Sequence, residues 1–368
     1  MADRSEGRRG KPVAWHGGPV MQALIWPVAA LALLVIFNVL FTPGYLSISV
    51  VEGRLSGYLI DIFRDGSSVM LLAVGMTLVI ATGGVDLSVG AIMAIAAVLS
   101  ASMVTPEWNE ANLGGWANAM LADRTIAWIG VVIAASLVAS VLAGVWNGAL
   151  VSIFKIQPII ATLVLMVAGR GVAQLVSNGR IFTYDLPALE FLGKGTILGV
   201  PFSVIIVALV AFLAIGLTRL TALGLMIEAV GDNDTASRSS GVPVRAIRFM
   251  VYMVSGLCAG IAGLIESSNV SSANANQIGL YAELDAIFAV VVGGTALTGG
   301  RFFLVGSIVG ALLIQTLTNT MYAQEVRPEI ALIPKALVIV AVCLLQSPEF
   351  RRKAWGVVRP GVRVGGKA

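Results

Sequence analysis

Charge is scarce in this 368-residue chain. Lys, Arg, Asp and Glu together make up 12% of it, against about 25% in a typical soluble domain. A globule so poor in charge lacks the polar surface that keeps a protein in water. Low charge combined with high apolar content also excludes disorder. Histidine is nearly absent. The single copy, His16, sits in a polar N-terminal tail, so the apolar body has no histidine chemistry. The two cysteines, Cys258 and Cys343, lie in separate apolar runs with no CxxC, which argues against a disulfide or a zinc site. There is no GxSxG, no HExxH and no Walker-type phosphate loop. The nearest approach, Gly193-Lys194-Gly195-Thr196, lacks both the leading glycine and a Ser or Thr next to the lysine. No basic, aromatic-interleaved stretch points to nucleic acid.

What is there is apolar. Hydrophobic residues account for 57% of the chain, with 41 glycines besides, and the mean hydropathy is +0.91. Ten nearly charge-free runs follow one another at 20–41, 67–85, 87–106, 125–154, 156–178, 195–218, 249–265, 286–300, 302–324 and 330–348. A bilayer span takes about 20 apolar residues, so the pattern predicts an all-α membrane protein of about ten spans. Barrel-type alternation is absent. The run at 286–300 is short and holds four glycines. It is read as a full, glycine-broken span, because a re-entrant loop there would reverse everything after it. The first run is too long for a signal peptide and has no small-residue cleavage site.

Lys and Arg placement sets orientation. With an inside N-terminus, sixteen of the 24 basic residues fall inside: four in the tail, Lys155, four across 219–248, Arg301 and six beyond residue 350. Six fall outside, and Arg170 and Lys335 lie within runs. This bias predicts cytoplasmic termini. The chain divides into a cytoplasmic tail at 1–19, one transmembrane domain at 20–348 with a polar inside loop at 219–247, and a basic tail at 349–368.

Three segments carry the functional signal. In Gly83-Gly84-Val85-Asp86-Leu87-Ser88-Val89-Gly90, Asp86 is the only charge between Gly66 and Pro106. A carboxylate beside paired glycines predicts a broken helix near the inner side that lines a cavity, or an N-cap for the helix starting near Leu87; the two readings are compatible. The same pattern recurs 210 residues later as Gly293-Gly294-x-x-Leu297-Thr298-x-Gly300. Likewise, Gly144-x-x-x-Gly148-Ala149-Leu150 resembles Gly306-x-x-x-Gly310-Ala311-Leu312. The matches suggest an internal repeat, although such glycine spacing also serves plain close packing of helices. In the loop, Asn233 or Asp234 starts a short helix that Gly241 and Pro243 end, unless the loop is a mere connector. Arg170 lies inside an apolar run, with Gln174 and Ser177 on the same helical face. The stripe is either a buried ion pair, with Glu266 as partner, or the wall of a vestibule.

At this point a family becomes recognisable. The run LAVGMTLVIATGGVDLSVG (72–90), the loop EAVGDNDTASRSSGV (228–242) and LDAIFAVVVGGTALTGGR (284–301) resemble the sugar-importing ABC permeases of the ribose type. VWNGALV (145–151) and IQPIIATLVLMVAGRGVAQ (156–174) extend the likeness over about residues 65–346, most of all toward galactofuranose permeases. The resemblance implies a permease subunit that imports a monosaccharide and is not itself an enzyme. It implies pairing with a second permease subunit, a cytosolic ATPase that holds ATP-Mg, and an extracytoplasmic sugar-binding protein, in a bacterial inner membrane. This chain then needs no cofactor and no metal of its own. The family loop pattern Gly-x-Asn-x-x-Ala-Ala-x-x-Ser-Gly maps onto Gly231, Asn233, Ala236, Ser240 and Gly241, with Ser237 replacing the second alanine. ATPase coupling is assigned to Glu228, Gly231, Asn233, Ser237, Arg238, Ser240 and Gly241, on one helix across 228–243. Candidate pathway residues are Thr82, Asp86, Ser88, Asn147, Arg170, Gln174, Glu266, Thr295 and Thr298. The competing reading is an ion-coupled secondary transporter, for which only Asp86 offers a carboxylate. An intramembrane enzyme lacks the paired groups it needs.

Overall fold

The computed structural model describes residues 19–51, 54–123 and 125–346. The two expected tails lie outside these residues, apart from Pro19. Helix α1 (Pro19–Phe41) leads through a hairpin, β1 (Ser49–Val51) and β2 (Arg54–Ser56), into α2 (Tyr58–Ala81). Then come α3 (Val89–Met103), two short helices α4 (Pro106–Asn112) and α5 (Gly115–Asp123), α6 (Thr125–Ser152) and α7 (Pro158–Ser177). Strand β3 (Phe182–Thr183), helix α8 (Pro187–Lys194) and the hairpin β4 (Thr196–Ile197) and β5 (Val200–Pro201) precede α9 (Phe202–Leu220). Helices α10 (Ala222–Asp232) and α11 (Asp234–Ser239) connect to α12 (Val244–Val270). Strand β6 (Ser272–Ala273) pairs antiparallel with β3, and α13 (Ala282–Val292), α14 (Leu304–Ala323) and α15 (Pro328–Gln346) complete the chain.

Among the described residues, seven helices are long and apolar enough to cross a membrane: α1, α2, α6, α7, α9, α12 and α14. The number rises to eight if α3 and α4, bent by 94°, count as one span. The protein is therefore a multi-pass membrane protein. The expected count of ten exceeds this at three runs, one of which, 330–348, forms α15 and extends past the described residues. The run at 87–106 yields a 15-residue α3 that stops short of Pro106, where α4 turns away. The run at 286–300 yields only α13, of 11 residues. At 1.5 Å per residue it covers about half of a 30 Å hydrocarbon core. The Gly293-Gly294 pair ends it, and Gly294 takes φ +91°.

The crossing is completed differently. After β6 the chain dips into the bundle, and Gly279 packs so tightly on Gly90 that a Cβ on Gly279 would lie 2.5 Å from the Gly90 carbonyl oxygen. Helix α13 starts from this interior point, and Gly300 emerges at the end where α2 finishes, donating its N–H to Ala81 O at 2.9 Å. The dip and the half-length helix together run from the loop after β6 to the end of the bundle where α2 finishes.

Helix α2 is the central element, with 78% of its most apolar window buried, against 11% for α1 and 22–28% for α6, α7 and α9. The peripheral helices keep apolar faces exposed, as lipid contact demands. Small residues let the inner helices approach. A Cβ at Gly144 of α6 would meet Tyr252 O of α12 at 2.6 Å, and one at Gly310 of α14 would meet Ala289 O of α13 at 2.1 Å. Both matched glycine pairs thus serve close packing of helices.

Candidate functional site

The segment between α2 and α3 is broken, as its glycines suggest: Gly83 takes φ +77°, and the chain is non-helical until Ser88. Gly84 has no room for a side chain, since its Cβ would lie 2.5 Å from the Tyr252 hydroxyl. Asp86 is fully buried. Its Oδ1 accepts from Ser88 N at 3.1 Å, Ser88 Oγ at 2.6 Å and Asn147 Nδ2 at 3.3 Å, and its Oδ2 accepts from Ser255 Oγ at 2.8 Å. Asn147 Nδ2 also donates to Ser88 Oγ at 2.7 Å. The carboxylate therefore organises the start of α3 and ties it to α6 and α12. Of its partners, Asn147 stands five residues before the end of α6 and Ser255 twelve residues into α12, so Asp86 lies inward of the break at Gly83-Gly84.

The second glycine pair forms a counterpart break between α13 and α14, and the two breaks touch through Gly300 and Ala81. Thr82 Oγ1 donates to Val79 O at 2.8 Å, and Thr295 Oγ1 accepts from Phe303 N at 3.1 Å. Both are buried and hold turns; Thr298 is exposed. Of the candidate pathway residues, Asp86, Ser88 and Asn147 come together, while Thr82, Thr295 and Thr298 lie around the two breaks.

Arg170 makes no ion pair with Glu266, which corrects the expected partner. Its Nη1 donates to Ala275 O at 2.8 Å and Ile278 O at 2.6 Å, and its Nη2 to Gly279 O at 3.4 Å. Glu266 Oε1 accepts from Gly279 N at 3.4 Å. The two side chains grip opposite polar groups of one dipping loop, whose backbone has no helical partners inside the bundle. Gln174 extends the clamp, with Nε2 donating to Asn276 Oδ1 at 2.5 Å, while Ser177 Oγ bonds back to Gln174 O at 3.1 Å.

The loop floors a cavity of about 450 Å³ between α2, α12, α13 and α14. Its lining includes Glu266, Asp65, Asn269, Asp285, Gln315 and Asn319. Asp285 also pairs with Lys335 at 2.8 Å. Only Glu266 of these was singled out from sequence. The others are lone polar residues on separate helices, and no motif joins them before folding.

At the opposite end, 228–243 does not form one helix. Glu228 and Gly231 belong to α10, which stops at Asp232. Asn233 caps the next helix, its Oδ1 accepting from Ala236 N at 2.9 Å, and α11 then runs only from Asp234 to Ser239. A capping side chain competes with helix continuation, which is the reason for the break. Ser237 is buried and donates Oγ to Ala229 O at 2.8 Å, stapling α11 onto α10, a bond the alanine of the family pattern lacks. Arg238 grips Asp234 at 3.0 and 3.1 Å, and Arg248 reaches it at 3.4 Å. Partial burial opposes ionisation of Asp234, but hydrogen bonds and charge from Arg238 and Arg248 outweigh it and hold the carboxyl below its usual range. Glu228 pairs with Arg219 at 3.7 Å. A Cβ on Gly231 would lie 1.8 Å from Ala81 O. Ser240 and Gly241 are exposed, and Gly241 takes φ +83°. Lys155, Arg238, Arg245 and Arg248 line one cavity at this end, and Arg219 and Arg301 a second.

A family model described as branched-chain amino acid transport system, permease component, matches residues 58–343. The galactofuranose transporter permease protein YtfT of Escherichia coli K12 is 45% identical over 330 residues, covering 88% of this chain and 91% of that protein. The fructose import permease protein FruF of Bifidobacterium longum is 38% identical, with 89% and 88% covered. The ribose import permease protein RbsC of Escherichia coli K12 is 35% identical, with 93% and 97% covered. No solved structure matches the chain. A broken, multi-pass helical bundle and these likenesses over nearly the whole length place the chain in the permease family, among the ribose-type sugar ABC permeases.

Proposed function

We propose that this chain is the membrane-spanning subunit of an ATP-driven importer in a bacterial inner membrane, and that it carries a monosaccharide, galactofuranose or a similar sugar, into the cytoplasm. The observation that carries the reading is α11. This short capped helix stands at the basic end of the bundle, joined through Gly231 to both helix breaks. A rigid link from an end-face helix to broken helices is what an external ATPase needs to move a gate. The basic end is cytoplasmic under the positive-inside bias, which puts both tails in the cytoplasm around one domain at 20–348. The partners are a cytosolic ATPase that binds ATP-Mg, a second permease subunit and an extracytoplasmic sugar-binding protein. ATP hydrolysis belongs to the ATPase.

The sugar path runs through the cavity above the dipping loop. Its volume suits a small polar ligand, and Asp65, Gln315, Asn319 and Glu266 offer acceptors and donors to sugar hydroxyls. Arg170 and Gln174 hold the floor. Asp86 serves as a structural acceptor, already bonded to Ser88, Asn147 and Ser255, which disfavours an ion-coupling role.

The test is reconstitution with the neighbouring ATPase and binding protein. Sugar-loaded binding protein is expected to raise ATP hydrolysis and drive uptake. Uptake that persists without the ATPase and follows a proton or sodium gradient would replace this reading with a secondary transporter.

A further inference from the structure

The basic end holds a second cavity, of about 260 Å³, where the turn between α6 and α7 meets the start of α12, the coupling helix α11 and the Gly83-Gly84 break. Four cations line it: Lys155, Arg238, Arg245 and Arg248. Asp234 is the only acid in the lining, and it is engaged by Arg238 and Arg248. Lys155 and Arg245 form no ion pair among the described residues.

Three further features favour an anion. The first residues of two long helices, Pro158 of α7 and Val244 of α12, line the cavity. Neither helix has a side-chain cap. Pro158 carries no N–H and the Val244 N–H donates to Val242 O at 2.8 Å, so what the two helix starts bring to the cavity is the positive end of each helix dipole. Ser152, only 4% exposed, also lines the cavity, and its Oγ has no hydrogen-bond partner among the described residues. A buried hydroxyl, two uncapped helix starts and two unpaired cations form a cradle with net positive charge. Beside it, Ile153, Phe154 and Ile156 leave apolar side chains exposed.

We propose that this cavity binds a phosphate ester, carried by an anionic phospholipid headgroup or by a small soluble phosphate compound. Phosphate oxygens would accept from Lys155, Arg245 and Ser152, with the dipoles of α7 and α12 adding to the positive field. The bound group would tie the α6–α7 turn to α12, beside Arg238 of the coupling helix and the α2–α3 break. Occupancy would thus stiffen the region that relays the ATPase stroke.

The whole permease is to be placed in nanodiscs of phosphatidylcholine alone or with phosphatidylglycerol, and its thermal unfolding midpoint followed. Inorganic phosphate and glycerol 3-phosphate are titrated into the phosphatidylcholine sample. A midpoint raised by about 2–4 °C is expected in at least one arm. A rise with phosphatidylglycerol alone assigns a lipid, and a rise with the soluble phosphates assigns a metabolite. In either case the double variant Lys155→Gln with Arg245→Gln is expected to weaken binding about thirtyfold. Ser152→Ala, which keeps every charge, is expected to weaken it about fivefold, and keeps the test decisive if the double variant does not fold. Arg301→Gln, at the same end but outside the cavity, is expected to leave it unchanged. The proposal is overturned if no arm shifts the midpoint. It is also overturned if the foldable cavity variants respond like the parent, or if Arg301→Gln weakens binding as much as the double variant. Loss of ATPase association in the double variant, with every midpoint indifferent to phosphate and phosphatidylglycerol, would mark a protein contact instead and also overturn it.

Discussion

Asp86 is the acceptor that Ser88, Asn147 and Ser255 share, and among the described residues only Asn147 has a second one, Ser88 Oγ. Asp86→Ala leaves the Ser88 N–H, the Ser255 hydroxyl and the Asn147 amide buried without this partner. Each unsatisfied buried donor costs about 1–3 kcal/mol, so a total loss of about 3 kcal/mol is expected. Thermal unfolding in detergent checks it, and a midpoint unchanged from the parent would show that the network is not structural. The sequence exposed Asp86 by its isolation, one carboxylate in a long uncharged stretch. It did not expose Ser255 or the pairing with Asn147, because those partners come from helices about 60 and 170 residues away. Arg170 teaches the same lesson. Its burial in an apolar run was visible, and an acidic partner was the natural inference. The structure instead supplies backbone carbonyls, which carry no signature in a sequence.

At the level of elements, two glycines near α11 do different jobs. Gly231→Ala forces a Cβ into the Ala81 carbonyl and close to Gly300 N. It is expected to cost about 1–3 kcal/mol and to cut sugar-stimulated ATP hydrolysis, because it pries α10 from the breaks. Gly241→Ala meets open space and is opposed only by its positive φ, at about 1–2 kcal/mol. Comparing unfolding midpoints and coupled hydrolysis in the two variants checks this; a larger loss for Gly241→Ala would reverse the assignment. The Asp234 tie adds a pH dependence. Its folded pKa lies below its unfolded value. The stabilisation is therefore present above the ordinary carboxylate range and is lost as pH falls through that range toward the depressed folded value. Protease sensitivity of the 232–243 segment is expected to rise from about pH 4 downward, and Asp234→Asn is expected to raise it at neutral pH. Equal sensitivity of parent and variant at neutral pH would discount the tie. The loop's capping residue was legible in advance, since Asn233 followed by a short polar run and Gly241 is local chemistry. Its division into two helices was not, because the staple from Ser237 to Ala229 is made only when α10 and α11 fold back together.

For the whole molecule, the expected sidedness follows from where basic residues gather. In a cysteine-free background, a cysteine at Ser240 is expected to react with an impermeant thiol reagent only in inside-out vesicles, and one at Arg180 only from the outer face. Both positions are exposed. The opposite pattern would invert the topology and move the ATPase site to the wrong side. The bundle is organised around α2 rather than around a ring of equivalent spans. Two of its segments are interrupted, at Gly83-Gly84 and at Gly293-Gly294, and the two breaks meet where α2 ends. Interruptions of this kind leave backbone groups free inside the membrane and are tolerated only where protein or a cavity receives them.

The sequence by itself determined the class of this protein: helical, many-spanning and broken at two glycine pairs. Those properties are local or additive, so they survive without coordinates. Hydropathy sums along a run, and glycine breaks its own turn. Tertiary structure alone decided that 286–300 is half a helix fed by a dipping loop, that Arg170 and Glu266 clamp that loop instead of each other, and that Asp65, Gln315 and Asn319 converge on one cavity. Each of these depends on polar groups from distant segments meeting inside lipid. There an unpaired donor or acceptor is costly, and the partner that satisfies it is chosen by packing rather than by proximity in the chain.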